Sequence, residues 1–192
     1  MKPAPRTRVL TEKYRDRVLV VGLLALAVIL KFYEIPYPFV PFLKYDVSGV
    51  PLAIIAYYSL KYAASSLPLY YLIPVLFGLD AVGMAMKCLA EASTFMPLIT
   101  IYKKTSKLSE KMRGGLAVAV STLLRVAVMS IANIIIAPYW LMWSLKISYE
   151  AAYTQTLLLM PHIVVFNTTI ALIVASLSLA CINILRKSGY LA

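Results

Sequence analysis

Lys87 and Glu91 carry opposite charges four residues apart inside an apolar run, a spacing that sets both on one helical face within pairing distance. An ionisable side chain at membrane depth costs about 2.5–3.5 kcal/mol on insertion scales. Such a pair therefore either neutralises itself so that its helix can insert, or contacts a ligand. Asn133 and Asn167 each interrupt a nearly wholly apolar stretch. Their amides can join helices at about 0.6–2 kcal/mol each, or read the C=O and ring N–H groups of a heterocycle in a dry pocket. Arg125 stands eight residues before Asn133 and reads as a side chain snorkelling to the headgroups or meeting a partner protein. Asp80 sits at a loop edge and reads as solvated. His162, after Pro161, reads as a hydrogen-bonded structural residue rather than a proton relay. Cys88 and Cys181 show no CxxC spacing and read as buried small hydrophobes.

Other chemistry finds no support. The single His has no Ser or Asp at recognisable spacing, no paired carboxylates share a helical face, and no metal-ligand cluster occurs. A GxxxxGK[ST] phosphate loop is also missing from the sequence. Neither an enzyme nor a metal or cofactor is expected.

The elements that must position these residues are membrane helices. The chain has 192 residues, 61% hydrophobic and 14% charged, with a mean hydropathy of +0.81, which reads as an integral membrane protein. Its net charge of +11 fits cytoplasmic loops rich in Lys and Arg better than a nucleic-acid surface. The first apolar run has no A-x-A site before Pro36 and reads as a retained helix, not a signal peptide.

Six spans are expected, at about 18–33, 50–62, 67–79, 81–102, 114–138 and 157–185, forming one all-α membrane domain over residues 1–192. The second and third are short and are separated by an AASS turn after Lys61. With six spans, most of the nineteen basic residues fall on one side: Lys2, Arg6, Arg8, Lys13, Arg15, Arg17, Lys61, the Lys103, Lys104, Lys107, Lys111 and Arg113 group, Arg186 and Lys187. Both termini are therefore expected in the cytoplasm of a multi-pass plasma-membrane protein. Tyr139, Trp140, Trp143, Tyr149 and Tyr153 would then occupy an outer loop at the headgroup layer. The sequence shows no internal repeat of the kind that builds alternating-access carriers.

Residues 35–51, IPYPFVPFLKYDVSGVP, stand out against these spans. Four prolines preclude a continuous helix, and four aromatics make the segment too apolar for a solvated linker. It reads as a structured lid at the outer mouth of the bundle.

Three blocks of sequence resemble the substrate-capturing S components of energy-coupling factor (ECF) vitamin transporters, in particular the riboflavin type. The first is the lid, with its FLK-x-D-x-S core. The second is GMAMKCLAEASTFMPLITIYKK, residues 83–104, with Gly83, Pro97, Ile101, Tyr102 and Lys103 at similar spacing. The third joins SIAN, ending at Asn133, with MPHIVVFN, ending at Asn167. The resemblance implies a subunit that binds riboflavin or a similar vitamin at the outer side of the lipid bilayer. It also implies partners: a membrane scaffold (T) subunit and two cytoplasmic ATPases, which supply the energy for uptake.

The site it implies comprises Leu43, Lys44, Tyr45, Asp46 and Ser48 of the lid with Asn133 and Asn167 beneath; Lys87 and Glu91 are added from their position in the fourth span. The chain departs from the riboflavin type at Gly49, where Asp is usual, at Lys87, where Asn is common, and at Ile170, where Lys is usual. The small-residue AxxxA pattern of the first helix is replaced by a looser Gly22, Ala25 and Ala27. An S component for a different vitamin is the alternative. A structural protein in which the asparagines only join helices would leave the lid unexplained.

Overall fold

The structure, a computed structural model, describes residues 5–190, with side chains from Arg17 to Tyr190. The basic side chains of Lys2, Arg6, Arg8, Lys13 and Arg15 lie outside the described residues. Helix α1 (Pro5–Lys31) leads into a hairpin of β1 (Ile35–Tyr37) and β2 (Val40–Tyr45). Helices α2 (Gly49–Tyr58), α3 (Leu60–Leu76), α4 (Ala81–Lys104), α5 (Glu110–Leu145) and α6 (Tyr149–Lys187) follow. Among the described residues α4, α5 and α6 are long and apolar enough to cross a membrane. At 1.5 Å per residue α5 and α6 run about 54 and 58 Å, well past a hydrocarbon core of about 30 Å.

Several boundaries differ from the sequence-based expectation, each for a local reason. The AASS stretch is not a turn but lies inside α3. The break comes earlier, at Ser59, whose extended backbone (φ −155°, ψ 121°) ends α2 while its hydroxyl accepts from Tyr62 N at 3.4 Å to start α3. Helix α5 starts four residues before the expected 114, at Glu110, because Ser109 caps it and Glu110 faces its positive end. The expected aromatic outer loop is almost entirely helical. Helix α5 runs through Pro138 to Leu145, Lys146 closes it in the left-handed conformation (φ 53°), and Ser148 caps the start of α6. Pro97, Pro138 and Pro161 all sit inside helices, which packed neighbours make tolerable.

The lid is not irregular. Ile35 pairs with Tyr45, Pro36 with Lys44 and Tyr37 with Val40 in an antiparallel ladder, with a register shift after Pro36 that admits the prolines. Its inner face seats Tyr37 and Val40 on Phe166, Ile170 and Val174 of α6. Burying Tyr37 and Val40 contributes about 1.5–3 kcal/mol each. The Tyr45 hydroxyl adds a 2.8 Å hydrogen bond to Thr169 Oγ1. Ile170 is thus a buried anchor for the hairpin.

Helix α2 forms the centre of the main core. Gly49 and the residues from Pro51 to Ala56 are buried, and α2 packs against α1, α3, α4 and α6. Helix α5 packs against α4 and α6 on the other side. The hairpin packs on α6 through β2.

Candidate functional site

A cavity of about 320 Å³ lies under the hairpin, between the ends of α1 and α4 and the inner faces of α5 and α6. Phe42, Leu43 and Lys44 of β2 roof it, and the Phe42 ring meets Trp140 of α5 at 5.5 Å. Arg125, Met129, Asn133, Ala137 and Trp140 line one side at three- and four-residue spacing, as one face of a helix must. Phe166 and Asn167 face them from α6.

Ionic contacts tie the floor to the lid. Asp46, buried just after β2, receives Lys87 Nζ at 2.9 Å and Lys31 Nζ at 3.6 Å. Lys87 Nζ also contacts Glu91 Oε1 at 2.7 Å, and Arg125 Nη1 approaches that same oxygen at 3.4 Å. Arg125 further donates to Thr94 Oγ1 at 3.0 Å from Nη1 and to Asn167 Oδ1 at 3.3 Å from Nε. At the rim Glu34 pairs with Lys31 and, at 2.7 Å, with Lys44.

Ser48 secures the Asp46 carboxylate: its backbone N–H donates to Oδ1 at 3.0 Å, and its hydroxyl donates to the same oxygen. With that proton engaged, Tyr70 is the donor in the 2.5 Å contact between the two hydroxyls. Burial by itself would raise the Asp46 pKa, but Lys87, Lys31 and the Ser48 hydrogen bond outweigh it and hold the carboxyl below its ordinary value. Asp46 is therefore an anion at neutral pH.

The two asparagines use part of their capacity on their own helices. Asn133 Nδ2 donates to Met129 O at 2.7 Å, and Asn167 Nδ2 to Ile163 O at 2.9 Å. Asn133 Oδ1 has no hydrogen-bond partner among the described residues, and each amide keeps a second N–H. Both side chains line the cavity with this capacity unspent.

The site residues expected from sequence thus separate into two layers. Leu43, Lys44, Lys87, Asn133 and Asn167 line the cavity, whereas Tyr45, Asp46, Ser48 and Glu91 brace the lining from behind. Arg125 corrects the sequence reading. It neither snorkels nor faces outward; it is 2% exposed, lines the cavity and links α4, α5 and α6. Its eight-residue spacing from Asn133, two turns on one face, was the available signal. Lys31, at the end of α1, also lines the cavity. Asp80 is exposed at the mouth and caps α4 through Gly83 N at 2.5 Å. His162 is in ring contact with the lid, stacked on Phe39 at 5.4 Å.

Gly49 is forced by this arrangement. A Cβ there would lie 1.9 Å from Glu91 Oε2, 2.7 Å from Glu91 Cδ and 2.8 Å from Val174 Cγ1. No carboxylate fits at position 49 while Glu91 occupies that space.

Comparison with known proteins agrees with this architecture. No family model matches the chain, and no curated protein matches it. Among solved structures, the S component of a bacterial ECF transporter superposes with a TM-score of 0.72 at 24% identity, covering 91% of this chain and 97% of that one. The chain has the S-component fold.

Proposed function

We propose that the chain is the substrate-capture subunit of an ECF-type importer, binding riboflavin or a related flavin or vitamin from the outer side of the plasma membrane. On this reading six membrane-embedded helices place both termini in the cytoplasm. A T subunit and two ATPases drive uptake, because the sequence carries no phosphate loop of its own. The observation that carries the reading is the cavity itself. At about 320 Å³ it falls within the range of about 300–1,000 Å³ typical of small-molecule sites. It is walled mainly by apolar side chains, and polar groups converge on it from the end of α1, from β2 and from α4, α5 and α6. Strand pairing within the hairpin and its seat on α6 hold it over the cavity, which limits the entropy lost when a ligand is enclosed.

Asn133→Ala and Asn167→Ala test the assignment. Flavin fluorescence should be quenched on titration with the purified chain in detergent. Each substitution should weaken binding about tenfold, because a matched hydrogen bond contributes about 0.5–1.5 kcal/mol and a ligand group left unpaired adds to the loss. Unchanged affinity in both variants would remove the asparagines from the site.

A further inference from the structure

The charges around the cavity are unevenly placed. Lys31, Lys44, Lys87 and Arg125 stand against Glu34, Asp46 and Glu91, with Asp80 as a fourth carboxylate at the exposed mouth.

The distribution matters more than the count. All four cations line the cavity, while Asp46 and Glu91 sit behind the lining and Glu34 is already contacted by Lys31 and Lys44. Arg125 Nη2 has no hydrogen-bond partner among the described residues, and the Lys87 ammonium makes two ion pairs with three donors available. Lys87 and Arg125 approach one and the same carboxylate oxygen, so their heads lie within reach of a single small oxyanion. Cationic donors left without partners in the cavity wall favour an anionic ligand that would complete their hydrogen bonds.

We infer that the ligand carries one anionic group, a carboxylate or a phosphate, and seats it between Lys87 and Arg125. Its flat or apolar remainder lies along Met129, Asn133 and Phe166. This rests on the capture reading above and narrows it: among flavins it favours a phosphorylated one over riboflavin, and among other vitamins an acid over its amide or ester. Asn133 Oδ1, the free acceptor in the lining, then meets a ligand N–H and not the anion.

Matched pairs decide the matter. The purified full chain is titrated with nicotinate against nicotinamide, biotin against biotin methyl ester, and flavin mononucleotide against riboflavin, read by calorimetry. In at least one pair the anionic member should bind about tenfold or more tightly than its neutral partner, as charge-assisted bonds to fixed cations require. Preference within the first two pairs identifies a carboxylate, and within the third a phosphate. The preference should vanish in Lys87→Gln; if that variant does not fold, the comparison in the unaltered chain decides alone. Equal or tighter binding of the neutral members would overturn the anion inference and leave the capture reading standing. Binding of no member would overturn both.

Discussion

Arg125→Met should lower the thermal unfolding midpoint of the purified chain and abolish ligand binding together. The guanidinium is 2% exposed and holds Glu91 at 3.4 Å, Thr94 at 3.0 Å and Asn167 at 3.3 Å. Methionine fills much of the volume but leaves Asn167 Oδ1 without its donor and Glu91 with Lys87 alone. Removing one partner of a buried ion pair costs about 3–5 kcal/mol. The lower end applies here, because Lys87 still holds Glu91 at 2.7 Å. For a chain of this size about 3 kcal/mol corresponds to roughly 6–12 °C. Since the cost comes from the stranded carboxylate, Arg125→Met with Glu91→Gln should unfold at a higher temperature than Arg125→Met alone. A midpoint unchanged by Arg125→Met would show that the guanidinium is not part of the floor.

Gly49→Ala is the second large effect. The added methyl would meet Glu91 Oε2 at 1.9 Å and Val174 Cγ1 at 2.8 Å. A free glutamate could swing away, but Lys87 and Arg125 both hold the other oxygen of this carboxylate. The strain therefore falls on the packing of α2 against α4 and α6. Overpacking costs about 1–3 kcal/mol and occasionally more, and the upper end is expected. In a Glu91→Ala background the nearest obstruction is gone, so the same substitution should cost much less; Val174 alone remains to be displaced. An equal cost in the two backgrounds, measured by thermal unfolding in detergent, would contradict the close approach of α2 to Glu91.

These two residues also show where sequence reasoning reached and where it stopped. Hydropathy and proline density placed the lid between two helices, and a lone amide in an apolar run was enough to single out Asn133 and Asn167. Gly49 and Ile170 stood out only as departures from a related pattern. Their reasons are tertiary: Glu91 fills the space above Gly49, and Ile170 packs beneath Tyr37 and Val40. The same holds for the lid anchor, because Asp46 meets Lys87 across a long sequence separation that no helical spacing encodes. Arg125 was misread because a cation near a helix entry usually snorkels, whereas here Glu91 and Asn167 draw it inward. Helix ends were missed for a simpler reason. Ser59, Ser109 and Ser148 set them through caps, and hydropathy does not register a cap.

The central claim is that the cavity beneath the hairpin captures one small ligand. Native mass spectrometry of the chain, released from detergent micelles in the presence of riboflavin, flavin mononucleotide, nicotinate and biotin, measures it directly. The expected result is a single adduct per chain from one of these compounds, lost when Ala137 on the cavity wall is replaced by Trp. No adduct with any of the four, or one that persists undiminished in Ala137→Trp, would contradict the claim.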